Sequence, residues 1–80
     1  MKVLIIEDEL DLNNLVSDYF KRSGEIVISA FNKFKAEDAF SNHKFDVIIL
    51  DIMLPDGNGL DLIRPIRETQ VVRIGYTYKF

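Results

Sequence analysis

Two runs of the chain are apolar without interruption, Val3-Leu4-Ile5-Ile6 and Val47-Ile48-Ile49-Leu50. Neither alternates, and both have strand length, the pattern of parallel strands covered by helices on both faces. After the first run, Leu12, Leu15, Val16, Tyr19 and Phe20 recur at helical spacing, with Asp11, Asn14, Asp18 and Lys21 opposite. This predicts an amphipathic helix closing at Gly24, with Lys21 and Arg22 placed to favour its carboxyl end. Ile26-Val27-Ile28, within Glu25 to Ala30, predicts a short second strand, and residues 35–42 a second helix with Ala36, Ala39 and Phe40 on one face. The third strand is expected from Phe45 to Leu50. Leu60, Ile63 and Ile66 predict a third helix just after Gly57 and Gly59. Pro65 inside it removes a hydrogen bond and crowds the preceding turn, at a cost of roughly 3 kcal/mol, so that helix should kink or stay short.

From Val71 the pattern changes to alternation. Val72, Ile74, Tyr76, Tyr78 and Phe80 stand against Val71, Arg73, Gly75, Thr77 and Lys79, the period of a half-buried or edge strand. The aromatic stripe in it fits either core or a contact with a second chain. Strands and helices therefore alternate along the chain, which implies right-handed crossovers if the strands are parallel. No repeat, low-complexity tract or linker divides it, so residues 1–80 read as one domain.

Composition narrows the picture. With 80 residues, 48% hydrophobic and 29% charged, the chain can bury one small core. A domain of this size hides only about 60% of its unfolded surface, so metal binding or oligomerisation would add needed stability. A net charge of −3 with no basic stripe argues against direct nucleic-acid binding and towards protein partners. The absence of cysteine excludes a disulfide framework and a thiolate zinc site, and fits a reducing cytoplasm. The first apolar run is too short for a membrane span or a signal-peptide core, so a cytoplasmic location off the membrane is expected.

The chemistry lies at the ends of the two apolar runs. Asp51 closes one, and Glu7-Asp8-Glu9 follow the other. If the strands pair in parallel, these carboxylates converge on one edge, as a magnesium site containing a potential nucleophile. Glu9 has a simpler role at the start of the first helix, favoured by its dipole. Asp56 reads as an ordinary loop residue, and His43, the single histidine, as a surface residue.

Leu4-Ile5-Ile6-Glu7-Asp8-Glu9, and Ile48-Ile49-Leu50-Asp51-Ile52-Met53-Leu54-Pro55-Asp56-Gly57-Asn58-Gly59, resemble the receiver domain of bacterial two-component response regulators, especially receivers that precede a winged-helix DNA-binding domain. The resemblance spans residues 1 to about 68 and leaves 69–80 as an atypical tail. It implies a flavodoxin-like α/β fold with strand order 2-1-3-4-5, here incomplete: strands 2-1-3 plus an atypical C-terminal strand. It implies that Asp51 accepts a phosphoryl group from a sensor histidine kinase. It further implies that Asp8 binds Mg²⁺ directly, that Glu7 helps through water, and that the backbone carbonyl of Met53 completes the protein ligands. Physical chemistry agrees, because phosphoryl transfer needs an in-line nucleophile and a cation to neutralise equatorial oxygens, and Mg²⁺ keeps positions open for them. Pro55 and Gly59 would shape the loop presenting Met53, with Gly59 supplying backbone freedom.

Such a domain is a signalling phosphoacceptor and not an enzyme. A haloacid-dehalogenase type phosphatase would need a second aspartate where Met53 stands. Receivers also use a Ser or Thr ending strand four, and a Lys ending strand five. Thr77 is the candidate switch hydroxyl; the competing account is that residues after Gln70 are not receiver sequence. No residue matches the lysine, since Lys79 follows the tail strand with no helix between. An alternative function is therefore a truncated, switching-incompetent receiver that serves as an assembly module or kinase decoy. An incomplete sheet should expose an edge and an apolar face, which predicts a homodimer through that edge or the tail strand.

Overall fold

The computed structural model describes residues 1–77; Tyr78, Lys79 and Phe80, named above in the aromatic stripe and as a lysine candidate, lie outside the described residues, as does the side chain of Thr77. Strand β1 (Lys2–Ile6) leads into helix α1 (Leu10–Arg22), and β2 (Ile26–Ala30) into α2 (Lys33–Asn42). Then come β3 (Val47–Asp51), a two-residue hairpin β4 (Met53–Leu54) and β5 (Gly57–Asn58), a 3₁₀ turn (Gly59–Leu62), α3 (Ile63–Thr69) and β6 (Arg73–Thr77). The main sheet has the order β2-β1-β3-β6, with every pair parallel. This is the α/β arrangement expected from the two uninterrupted runs. The alternating tail supplies its outer strand.

Register decides what meets at the carboxyl edge. Ile6 pairs with Leu50 and with Ala30, so the residues after β1 emerge beside the end of β3. On β3's other side Asp51 lies opposite Thr77. The tail pairs within its own chain and covers the edge of β3, so among the described residues the outer strands of the sheet are β2 and β6.

The two faces of the sheet are covered unequally. On one, Leu4, Ile6, Ala30, Ile48 and Leu50 pack with Ala36, Ala39 and Phe40 of α2 and with Leu62 and Ile66, forming the main core. Burial of a large aliphatic side chain is worth about 1.5–3 kcal/mol, and this cluster holds most of them. Among the described residues the other face carries no helix but α1, and there Val47 and Ile49 are only half-buried. The exposure expected of an apolar face is limited here to half-buried Val47 and Ile49, because Val3 and Ile5 on the same face are buried.

Helix α1 sits differently from the sequence expectation. Leu12, Val16 and Phe20 are half-buried, but the fully inward positions are Asn13 and Ser17, while Leu15 and Tyr19 are 69% and 67% exposed. Among the described residues no second helix lies beside α1 on this face, and the Leu15 and Tyr19 side of the stripe stays exposed. Gly24 ends the helix with φ at +84°, the left-handed turn expected of it.

Pro65 neither kinks α3 nor interrupts it. The 3₁₀ turn precedes it and places the proline in α3's first turn, where a missing N–H costs little. The helix is nevertheless short, at 7 residues. Just after it, the buried Gln70 accepts from Phe45 N–H at 2.8 Å and donates through Nε2 to the Phe40 and His43 carbonyls, each at 2.8 Å. One amide therefore ties the end of α2, the start of β3 and the approach to β6 together.

Candidate functional site

Glu7 and Asp8 extend from β1 and Asp51 ends β3, so the parallel register alone brings three acids to the carboxyl edge of the sheet. One carboxylate oxygen from each lies within 4.8 Å of the others. Asp51 is fully buried (0% exposed), Glu7 nearly so, and Asp8 exposed, so the cluster meets solvent at Asp8. Three negative groups this close repel one another, and burial strengthens the effect. An oxygen-only donor set of this kind suits a hard divalent cation, which would relieve that repulsion.

The main chain around each acid is held. Glu7 N–H donates to the Ala30 carbonyl at 3.0 Å, and a Glu7 carboxylate oxygen accepts from Glu9 N–H at 3.0 Å. Glu9 itself stands at the N-cap of α1, as its dipole role requires. Asn13 Nδ2 donates to the Glu7 carbonyl at 3.0 Å. Ser17 Oγ donates to Asn13 Oδ1 at 3.0 Å and lies 2.9 Å from Ser29 Oγ on β2. Asp51 Oδ1 accepts from Met53 N–H at 3.0 Å, which fixes the carboxylate against the following loop.

That loop is a small strap. Met53 pairs with Asn58 and Leu54 with Gly57 in an antiparallel hairpin, closed by Pro55 and Asp56. Gly57 carries the positive φ, +145°, whereas Gly59 does not; the sequence expectation of backbone freedom at Gly59 gives way to another constraint. A Cβ there would lie 2.1 Å from the Asp51 carbonyl oxygen. Gly59 N–H also donates to the Ile52 carbonyl at 2.7 Å. The strap returns against the backbone of the residue it serves.

Asp56 is more than a loop residue. Its two oxygens accept from Lys33 N–H at 2.8 Å and Phe34 N–H at 3.1 Å, while Asn32 Oδ1 accepts from Lys35 N–H at 2.7 Å. Together they satisfy three orphan donors in the first turn of α2. The Lys33 amide chiefly, with the Phe34 amide, holds the Asp56 carboxyl below the usual carboxylate range.

Sequence reasoning found the acids and the strap, and missed Asn13, Ser17 and the capping role of Asp56. The available signal for the first two was a polar pair at helical spacing, four residues apart, within an otherwise apolar stripe. The structure brings Glu7, Asp8 and Asp51 together, sets Met53 beside Asp51 with its side chain exposed, and places the Thr77 backbone across from Asp51.

Residues 3–78 match the family described as response regulator receiver domain. Among curated relatives, a probable transcriptional regulatory protein SilR of Salmonella typhimurium is 39% identical over 68 residues, covering 85% of this chain and 30% of that protein. The chain thus spans about 30% of the length of such relatives. A crystal structure of a two-component response regulator from Clostridium difficile superposes with a TM-score of 0.90 at 30% identity, over 95% of this chain and 63% of that one. Another, from Burkholderia pseudomallei and containing a phosphorylated aspartic acid, a calcium ion and citrate, gives 0.94 at 29% identity, over 99% of this chain and 47% of that one.

Proposed function

The chain belongs to the response regulator receiver domains, and on that footing we propose that Asp51 accepts a phosphoryl group from a phosphohistidine of a sensor histidine kinase, at a site that uses Mg²⁺. The observation that carries this reading is the convergence of Glu7, Asp8 and Asp51 from two strands within 4.8 Å. An Asp51 carboxylate oxygen attacks phosphorus as the P–N bond of the donor breaks; the phosphohistidine ring carries a proton on its other nitrogen, so the histidine leaves as neutral imidazole and an acyl phosphate forms on Asp51. Met53 N–H fixes the plane of the attacking carboxylate through Oδ1. Asp8 would hold the ion directly and Glu7 through water, with Asp51 and the Met53 carbonyl as the further protein ligands. Bound there, Mg²⁺ supplies the positive charge that lets an anionic carboxylate approach an anionic phosphoryl group. Thr77, whose backbone lies opposite Asp51 in the sheet, serves as the switch hydroxyl. The domain is a cytoplasmic signalling component and not a turnover catalyst; among the described residues no helix is long and apolar enough to cross a membrane.

The test is intact-mass analysis after incubation with a small phosphodonor such as acetyl phosphate. A single Mg²⁺-dependent phosphoryl addition is expected, absent in Asp51→Asn and replaced by the smaller addition of a hydroxamate after hydroxylamine treatment. No addition to the wild-type chain, or an undiminished one in Asp51→Asn, would overturn the assignment.

The edge position of β6 favours a second role alongside the first. Among the described residues its outer side pairs with no strand, and Tyr76 on it is exposed. This supports a homodimer in which β6 edges meet, making the domain an assembly module as well as a phosphoacceptor.

A further inference from the structure

We propose that Asn13, held in place by Ser17, is a positioning residue for the acidic site: it fixes the one peptide unit from which both Glu7 and Asp8 diverge. The inference rests on the Mg²⁺ site proposed above. The Glu7 carbonyl, which accepts from Asn13 Nδ2 at 3.0 Å, belongs to the Glu7–Asp8 peptide. The plane of that peptide sets ψ of Glu7 and φ of Asp8, and so the directions in which both carboxylates leave the backbone. Glu7 N–H is already tied to Ala30 in the sheet, so the Asn13 bond stops the next rotation along the chain.

The rest of the device explains its polar character. Asn13 is fully buried (0% exposed) on a helix face that otherwise carries Leu12, Val16 and Phe20, where an apolar residue would be the ordinary choice. Its amide must be oriented to donate towards Glu7, and Ser17, one turn later, donates to Oδ1 and so selects that orientation. Ser29, opposite Ile5 in β2, anchors Ser17 in turn at 2.9 Å. The chain of contacts runs from β2 through α1 to the peptide between the two acids. Groups that orient ligands in this way usually change metal affinity when removed.

The experiment compares Mg²⁺ affinity with thermal stability in Asn13→Ala, Ser17→Ala and a control, Gln70→Leu. Gln70 is also a buried amide, but its partners Phe40, His43 and Phe45 lie near the opposite end of β3. Amide shifts are followed during Mg²⁺ titration at a temperature where every variant is folded. Asn13→Ala should weaken Mg²⁺ binding by roughly tenfold or more, and Ser17→Ala by a smaller factor. Gln70→Leu should melt lower yet keep wild-type affinity. Equal affinity in wild type, Asn13→Ala and Ser17→Ala would overturn the positioning role, and so would an equal loss in Gln70→Leu. If Asn13→Ala does not fold, Ser17→Ala decides by the same criterion. A wild-type chain whose shifts ignore Mg²⁺ would instead overturn the metal-site reading, and this inference with it.

Discussion

At Gly59 the backbone of the strap passes so near β3 that a methyl group would sit 2.1 Å from the Asp51 carbonyl oxygen. That neighbour is main chain at the end of a central strand, so it cannot swing aside as a side chain would. Gly59→Ala should therefore cost at least about 1–3 kcal/mol, as overpacking does, and in a domain this small about 1 kcal/mol lowers Tm by 4–8 °C. Thermal unfolding by circular dichroism checks it, and an unchanged Tm would contradict the close approach. Gly57 offers a contrast, because its crowding atoms belong to the flexible Lys33 side chain. The sequence marked both glycines as loop formers and assigned the backbone freedom to Gly59, whereas Gly57 has the positive φ and the reason for Gly59 lies in another segment's backbone.

Among the elements, α2 owes its start to a residue 23 positions later, Asp56. The bond to Lys33 N–H, with that to Phe34 N–H, depresses the Asp56 pKa, so its contribution to stability is present above the unfolded carboxyl value of about 3.9 and is lost as pH falls through the lower folded value. Asp56→Asn lacks that ionisation. Thermal scans from neutral to acid pH should show wild type more stable than Asp56→Asn near neutrality, with the gap narrowing below about pH 4. A gap that stays constant or widens in acid would show that the carboxylate charge plays no part. A cap delivered from so far along the chain leaves no local mark, which is why Asp56 read as loop. Helix α2's own face, Ala36, Ala39 and Phe40, was legible because a full core covers it. On α1 the same reasoning failed at Leu15 and Tyr19, since periodicity identifies an apolar stripe but not how much of it a partner covers.

For the whole molecule, the uninterrupted runs of β1 and β3 were enough to place the acids, because parallel pairing leaves few ways to arrange them. The tail was harder to place. Arg73 and Gly75 argue against a central strand, and β6 resolves the conflict by taking the edge, where Arg73 is exposed. Sedimentation equilibrium should find dimers at high protein concentration that a charge on the edge, Tyr76→Lys, weakens. A folded monomer at every concentration would rule out pairing through β6.

The unequal faces of the sheet have a mechanical consequence. Helices α2 and α3 are embedded in the core, but α1 is a beam resting on the sheet, its outer flank at Leu15 and Tyr19 bare and its inner side linked by Asn13 to the peptide between Glu7 and Asp8. A load on that flank would therefore reach the two acids by two short routes, the Asn13 amide and Glu9, the one residue that joins Asp8 to the helix.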